Sequence, residues 1–413
     1  MSASRSTVRG VRRIGMAALS PRPLILDETV ALCTQVYQNR LRAIVLTGSV
    51  ARDEGTFVNT AEGMTLLGDA EFFVVFHDAT TLPDDADLKV IEGKLHERLR
   101  RRGVVAHVSL SGVQSRYFRG VRPSIFGFEL QTCGIVAWGD KDILQLIPPI
   151  APTDIPLEDG WRLLANRLVE QLEGFDELAS GRPLLSSETH YRAVKLYLDM
   201  GTSLLLFAGK YAPTYAQRAD ALEVLAATGA LSGFPLESFV RDVVAATRWK
   251  LRAATANVSC SREFWQRAIE HAERLWYWQL SQLTGARAPH EVSTLFDVWQ
   301  QRQPLAARLR GWAHVARREG VRSTFARWPR WLRSAMSGSP RYFVYSVAAP
   351  MVFALRHANQ SGYTGALRDG ASFLDRRLPV SLPGRGETGR VDARDAVNLV
   401  LENYRHFLVG TRA

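Results

Sequence analysis

The sequence predicts an α+β protein in which a mixed sheet with flanking helices is followed by an all-α remainder. Three observations carry this. Two short apolar runs, Ile44-Val45-Leu46 and Phe72-Phe73-Val74-Val75-Phe76, have the length and the β-branched or aromatic make-up of buried strands. Between about Leu24 and Leu146 such runs alternate with helix-like stretches. From Asp159 onward apolar residues recur every three or four positions, as in Trp161, Leu164, Leu168 and Leu172 or Tyr191, Val194 and Leu198, which is the period of a helix with one buried face.

A chain of 413 residues exceeds a usual single core, so more than one domain is expected. The expected division is an α+β domain over 24–150, a helical partner domain over 157–290 and a basic helical region over 291–413, with Pro148-Pro149, Pro152 and Pro156 as the first linker. Hydrophobic and charged fractions are ordinary for a globular protein and exclude a disordered tail protein. The three cysteines, Cys33, Cys133 and Cys260, lack metal-ligand spacing, which argues against a zinc site or a disulfide framework and for a reducing compartment. Ser2 to Arg13 is basic, but Gly15 to Leu19 is too short for a signal-peptide core, and no stretch approaches a full membrane span. The expected location is the cytoplasm, either free or peripherally associated with a membrane.

Taken in order, the first strand ends in Gly48-Ser49, and an element starting there would present backbone N–H groups to an anion, with the Ser hydroxyl as a further donor. Asp53 to Leu67 is polar and contains glycine, as a loop would. Asp69 and Glu71 open the next strand one residue apart, so both project from one face while Ala70 and Phe72 point to the other. Two carboxylates so placed repel unless a cation lies between them, and hard oxygen ligands suit Mg²⁺ completed by water and phosphate. The continuous apolar run after Glu71 implies a central strand. A charged helix over Asp87 to Arg102 precedes a strand over Val104 to Ser111 that contains no acid and carries His107. The next acid on an apolar run is Glu129.

These residues resemble the nucleotidyltransferase superfamily that shares the DNA polymerase β catalytic fold, whose signature is a hydrophobic strand, Gly-Ser, a spacer, then Asp-x-Asp or Asp-x-Glu in a second strand. The resemblance covers about a third of the chain, and its spacer is longer than in compact members. It implies that the Gly48-Ser49 turn holds a triphosphate, joined by Arg52, and that Asp69 and Glu71 bind two Mg²⁺ ions that activate an acceptor hydroxyl and stabilise leaving pyrophosphate. Family members usually carry a third carboxylate on a later strand, where this chain has His107. Glu129 either supplies that missing catalytic base or pairs structurally with an Arg, and its surroundings, Glu129-Leu130 and Gly134 to Gly139, resemble the family's later strand pair and Gly-x-x-x-x-Gly turn. The helices after Asp159 resemble the partner domain that closes the nucleotide cleft, with Lys195 the first candidate cation for the triphosphate and Arg218 the second.

From Arg302 to Arg333 the chain has many Arg, several Trp and a single acid, Glu319, a composition suited either to an anionic membrane surface or polyanion or to a helix with Trp packed inward. Tyr342 to Leu355 reads as a shallow interfacial insertion or a buried helix, and Val391 to Val409 as an amphipathic helix. The formal charge of +11 permits polyanion binding, but nothing resembles a sequence-reading nucleic-acid motif. The expected activity is Mg²⁺-dependent transfer of a nucleotidyl group from a nucleoside triphosphate to a hydroxyl of a small molecule, glycan precursor or protein. The competing expectation is a nucleotide-binding or scaffold protein with reduced catalysis that docks through its basic C-terminal region.

Overall fold

The computed structural model describes residues 21–229, 234–252, 260–285, 292–319, 321–357 and 392–409, so the basic N-terminus lies outside the described residues. The α+β portion comprises α1 (Arg22–Tyr37), β1 (Leu41–Thr47), α2 (Gly48–Ala51), β2 (Thr56–Thr60), β3 (Gly63–Phe76), α3 (Asp85–Arg101), β4 (Val104–Gln114), α4 (Arg116–Arg119), α5 (Ile125–Cys133) and β5 (Ile135–Gly139). Local chemistry marks the helix ends. Asp84 accepts a hydrogen bond from the Asp87 N–H at 2.7 Å at the start of α3, whose last turn carries Arg98, Arg100 and Arg101 against the helix dipole. Ser124 caps α5 in the same way, through the Gly127 N–H at 2.9 Å.

The sheet is mixed. Strand β3 is central: β1 and then β5 follow it on one side in antiparallel pairing, and β4 runs parallel to it on the other. Two features correct the sequence reading. The Asp53 to Leu67 stretch is largely a β-hairpin, in which Thr56 faces Leu67 and Thr60 faces Gly63, because Thr56 and Val58 bury alternate positions of β2 and Phe57 pairs with the buried Leu66, which extends β3 toward its N-terminus. Gly134 to Gly139 is not a turn but leads into and forms β5, which pairs with β1, while the apolar run holding Glu129 is helix α5 rather than a strand.

Both faces of the sheet are covered. Ile44, Leu46, Ala70, Phe72, Val74 and Phe76 form one core with α1 and α3, and Ala43, Val45, Phe73 and Val75 form another with α4, α5 and the segment containing Ile143 to Ile155. Phe73 and Val75 share a face with Asp69 and Glu71. The helices on that side cover the C-terminal half of β3 and leave the two acids exposed, while Ala70 is fully buried between them.

The helical portion comprises α6 (Leu157–Gln171), α7 (Phe175–Ala179), α8 (Ser187–Phe207), α9 (Tyr215–Ala227), α10 (Leu236–Leu251), α11 (Arg262–Thr284), α12 (Val292–Arg302), α13 (Leu305–Glu319), α14 (Val321–Ser337), α15 (Pro340–Leu355) and α16 (Ala393–Val409). Residues on both sides of position 291 share one core, in which Trp161 sits against Trp276, Phe296, Tyr342 and Tyr345. Helix α15 is buried in that core rather than placed for interfacial insertion. Trp312 and Trp331 point inward as well, the Trp312 indole N–H donating to the Gly338 carbonyl at 2.9 Å, whereas Trp328 is exposed. The side chains of Arg318, Arg322, Arg327 and Arg330 lie outside the described residues. Among the described residues no helix is long and apolar enough to cross a membrane.

Because Trp161 joins helices from both parts of the helical portion, Trp161→Ala is expected to cost about 3–5 kcal/mol of unfolding free energy. Chemical denaturation followed by far-UV circular dichroism measures this, and a loss below about 1 kcal/mol would contradict a shared core.

Candidate functional site

The corner after β1 is built by glycine. Gly48 has φ +71°, a left-handed conformation that disfavours other residues, and a Cβ placed on it would lie 2.9 Å from Glu71 Oε2. The pairing of Thr47 with Glu71 produces this closeness, since it sets the Glu71 side chain beside the start of α2. Helix α2 is a single turn, so its dipole is slight, and what it offers an anion is the unbonded amides of a first turn and the Ser49 hydroxyl.

Beside this corner is a cleft of about 520 Å³, and it is lined by every one of Gly48, Ser49, Arg52, Asp69, Glu71, Glu129 and Lys195. The side of the sheet supplies the first six, and α8 supplies Lys195 from across the cleft. Two further groups, which the sequence did not single out for the site, join them. Lys250, at the end of α10, and Tyr191, on α8, line the same wall, and the Tyr191 hydroxyl donates to the Leu67 carbonyl at 2.6 Å. Lys250 Nζ lies 3.4 Å from the Tyr191 hydroxyl. In sequence Lys250 is one of two cations in a helix's last turn, which is ordinary enough to carry no signal. Asp159 and Arg162 of α6, Tyr215 of α9 and Arg341 of α15 complete the lining.

The two lysines differ from surface lysines. The Arg167 guanidinium, and after it burial, hold the Lys195 ammonium below its ordinary range, with Glu170 3.8 Å away as partial compensation. Burial, and after it the neighbouring Lys195, pushes Lys250 down to about 7. Such a pair of cations is costly unless an anion joins it.

Other cations near the corner are already engaged. Arg52 is buried and paired with Glu54 at 2.9 Å and with Glu129 at 2.5 Å. Arg218 is buried too, bonded to Glu129, to the Tyr211 and Thr202 hydroxyls and to the Ala212 and Pro213 carbonyls, and it does not line the cleft. Glu129 therefore stands between two guanidiniums and accepts from the Tyr211 hydroxyl at 2.7 Å. Burial would raise its carboxyl, but Arg218 and Arg52 outweigh that and hold it below the usual range. This is the structural pairing that the sequence left open beside a catalytic one.

His107 is the direct strand partner of Asp69, with Nδ1 3.2 Å from Asp69 Oδ1, and Ser109 is the partner of Glu71. No carboxylate of β4 therefore stands beside either acid. Among the described residues no group of three or more His, Cys, Asp or Glu side chains is arranged to hold a metal ion. Asp69 and Glu71 nevertheless offer two exposed carboxylates on one strand face next to an anion-binding corner, a donor set that fits one Mg²⁺ whose other positions belong to phosphate and water.

Gly48→Ala is expected to cost about 1–2 kcal/mol of stability through its positive φ, and to displace the Glu71 carboxylate. Thermal melts compared with Gly209→Ala, where φ is +65° and nothing lies within 4 Å of an added Cβ, separate the cost of the positive φ from that of the contact with Glu71. Lys250→Met makes the opposite prediction. Below pH 7 the folded and unfolded lysine are both charged and the burial cost is complete; between about 7 and 10.5 only the unfolded form is charged, so the cost shrinks as pH rises. The substitution should stabilise the protein by on the order of 2–3 kcal/mol at pH 6, with a smaller gain at pH 9. A gain that does not vary with pH would contradict the buried ammonium.

Compared with known protein families and curated proteins, the chain matches no family model and no curated sequence.

Proposed function

We propose that the protein is a nucleotidyltransferase of the DNA polymerase β-like kind, transferring a nucleotidyl group from a nucleoside triphosphate to a hydroxyl. The observation that carries this reading is the meeting of the Glu71 carboxylate with Gly48 at a corner that also presents Asp69, Ser49 and, from the opposite wall, Lys195 and Lys250. The acids and the lysines face one space, which matches a polyphosphate whose charge is shared between cation and ammonium. The mixed sheet with an antiparallel strand pair bearing the motif supports the same reading.

The acceptor oxygen forms a bond to the α-phosphorus, the bridging α–β P–O bond breaks, pyrophosphate departs with the electron pair, and the hydroxyl proton is lost to water. Magnesium held by Asp69 and Glu71 would supply charge neutralisation where oxygen charge grows. Ser49 and the amides of α2 hold phosphate oxygens, and Lys195 and Lys250 draw the β- and γ-phosphates toward the helical wall. Their charge, costly in the empty cleft, is favoured by the bound polyanion. Arg52 and Glu129 position the corner from behind.

A second reading has its own support. His107 stands beside Asp69 where a third carboxylate is usual, and Glu129 is committed to two arginines, which suits a protein that binds triphosphate and transfers slowly or not at all.

Incubation with triphosphates labelled on the α-phosphate, Mg²⁺ and a cell extract separates the readings. The expected result is label on an extract component with the wild type and at least about a hundredfold less with Asp69→Ala. Equal labelling by both proteins ends the transfer reading, and triphosphate binding without labelling selects the second one. Lys195→Ala is expected to weaken triphosphate binding about tenfold in calorimetry.

A further inference from the structure

Next to the cleft lies a second hollow of about 580 Å³, enclosed by the start of α6, by α13 and by the start of α15. The two spaces share Arg162 and Arg341, which line both. The hollow is strongly basic: it is lined by five arginines, Arg162, Arg308, Arg310, Arg317 and Arg341, and by one carboxylate, Glu158. That carboxylate is engaged by the Tyr342 hydroxyl. Arg308 is oriented by the carbonyls of Gln301, Gln303 and Met336, which fix the guanidinium without neutralising it. Arg310 and Arg317 form no ion pair among the described residues. The Nε2 atom of His314, also in the lining, is buried and has no hydrogen-bond partner among the described residues.

We propose that this hollow is the acceptor subsite and that the acceptor is a small phosphorylated compound carrying a free hydroxyl. The proposal rests on the nucleotidyltransferase reading for the reaction, but not for the anion site itself. Arg162 is already paired with Asp159 at 2.6 Å, but the guanidiniums of Arg308, Arg310 and Arg317, gathered on one side of the concavity with no carboxylate partner among the described residues, call for an anion whose oxygens fit paired N–H donors, which a phosphate monoester does. The volume is that of a small-molecule site, so a compact phosphate ester fits it better than a polymer. A polycationic acceptor such as an aminoglycoside would meet like charge on every wall. With its phosphate among Arg308, Arg310 and Arg317, an acceptor extends past Arg162 and Arg341 into the cleft, where its hydroxyl attacks the α-phosphorus as above.

The test is calorimetry on the full chain with glucose 6-phosphate and glycerol 3-phosphate, against glucose and glycerol, and separately with a non-hydrolysable triphosphate. Saturable binding of a phosphorylated probe is expected, with no binding of the neutral compounds. Arg310→Glu/Arg317→Glu, both at exposed positions, should weaken that binding about tenfold or more and leave triphosphate affinity within about twofold. Three results overturn the proposal: no binding of either phosphate ester by a wild type that binds the triphosphate; equal loss of triphosphate affinity in the double variant, which would make the hollow part of the nucleotide site; or displacement of the esters only by a single-stranded oligonucleotide of much higher affinity. Binding of the esters with no triphosphate binding would support the anion site and sink the nucleotidyltransferase reading instead.

Discussion

The antiparallel register of β1 on β3 is the constraint on which the site depends. It sets Thr47 opposite Glu71, and so brings a carboxylate against the one residue, Gly48, that can turn the chain without a side chain in the way. Side chains alternate along a strand, so a slip of one residue would turn Asp69 and Glu71 into the core that α1 and α3 form with Ala70 and Phe72. Burying two carboxylates there without partners costs far more than any alternative packing recovers. The alternation of acid and apolar residues is therefore both the site and the device that secures its register.

A charged seam holds the other wall in place. Glu54 accepts from the Tyr215 N–H at 2.6 Å at the start of α9, the Thr56 hydroxyl donates to the Lys250 carbonyl at 3.0 Å, and the Arg52–Glu129–Arg218 chain links the end of α2 through α5 to α9. Buried ion pairs contribute little net stability compared with apolar packing of the same volume. Their effect here is positional: each bond joins a specific atom of the sheet portion to a specific atom of the helices, and the lysines of α8 and α10 are thereby held across from the acids. The same seam withdraws Arg52, Arg218 and Glu129 from ready contact with a ligand, leaving Lys195 and Lys250, with Arg162 and Arg341 at the edge, as the cations that the helices present to the cleft.

Parts of this were legible in the sequence for reasons that operate locally. Asp69 and Glu71 could be assigned to one face because strand alternation needs no knowledge of the fold, and the run from Phe72 to Phe76 could be read as central because only a strand covered on both faces tolerates it. The hairpin in Asp53 to Leu67 was missed because its polar, glycine-containing composition is that of a loop and its pairing partner is the extension of β3 itself. Trp312 and Trp331 could not be told from exposed tryptophans by composition, since Arg stands on the outer face of a helix whether its Trp residues face lipid or core. Lys250 gave no sign because its effect arises from burial beside Lys195, which is distant in sequence and adjacent only after α8 and α10 pack.

By itself, then, the sequence determined what is set by neighbours along the chain: the strand that ends in Gly48-Ser49, the two acids on one face, the helical character after Asp159 and the placement of Lys195 on a helix. Only the tertiary structure decided which charges meet. It paired Arg52 and Arg218 with Glu129, set His107 against Asp69, brought Lys250 and Tyr191 into the cleft that holds the acids, and carried Arg341 from late in the chain to the same cleft. The physical reason is that backbone period and composition act over a few residues, whereas the charge state and availability of a side chain depend on burial and on partners up to 200 or so positions away, which no local pattern encodes.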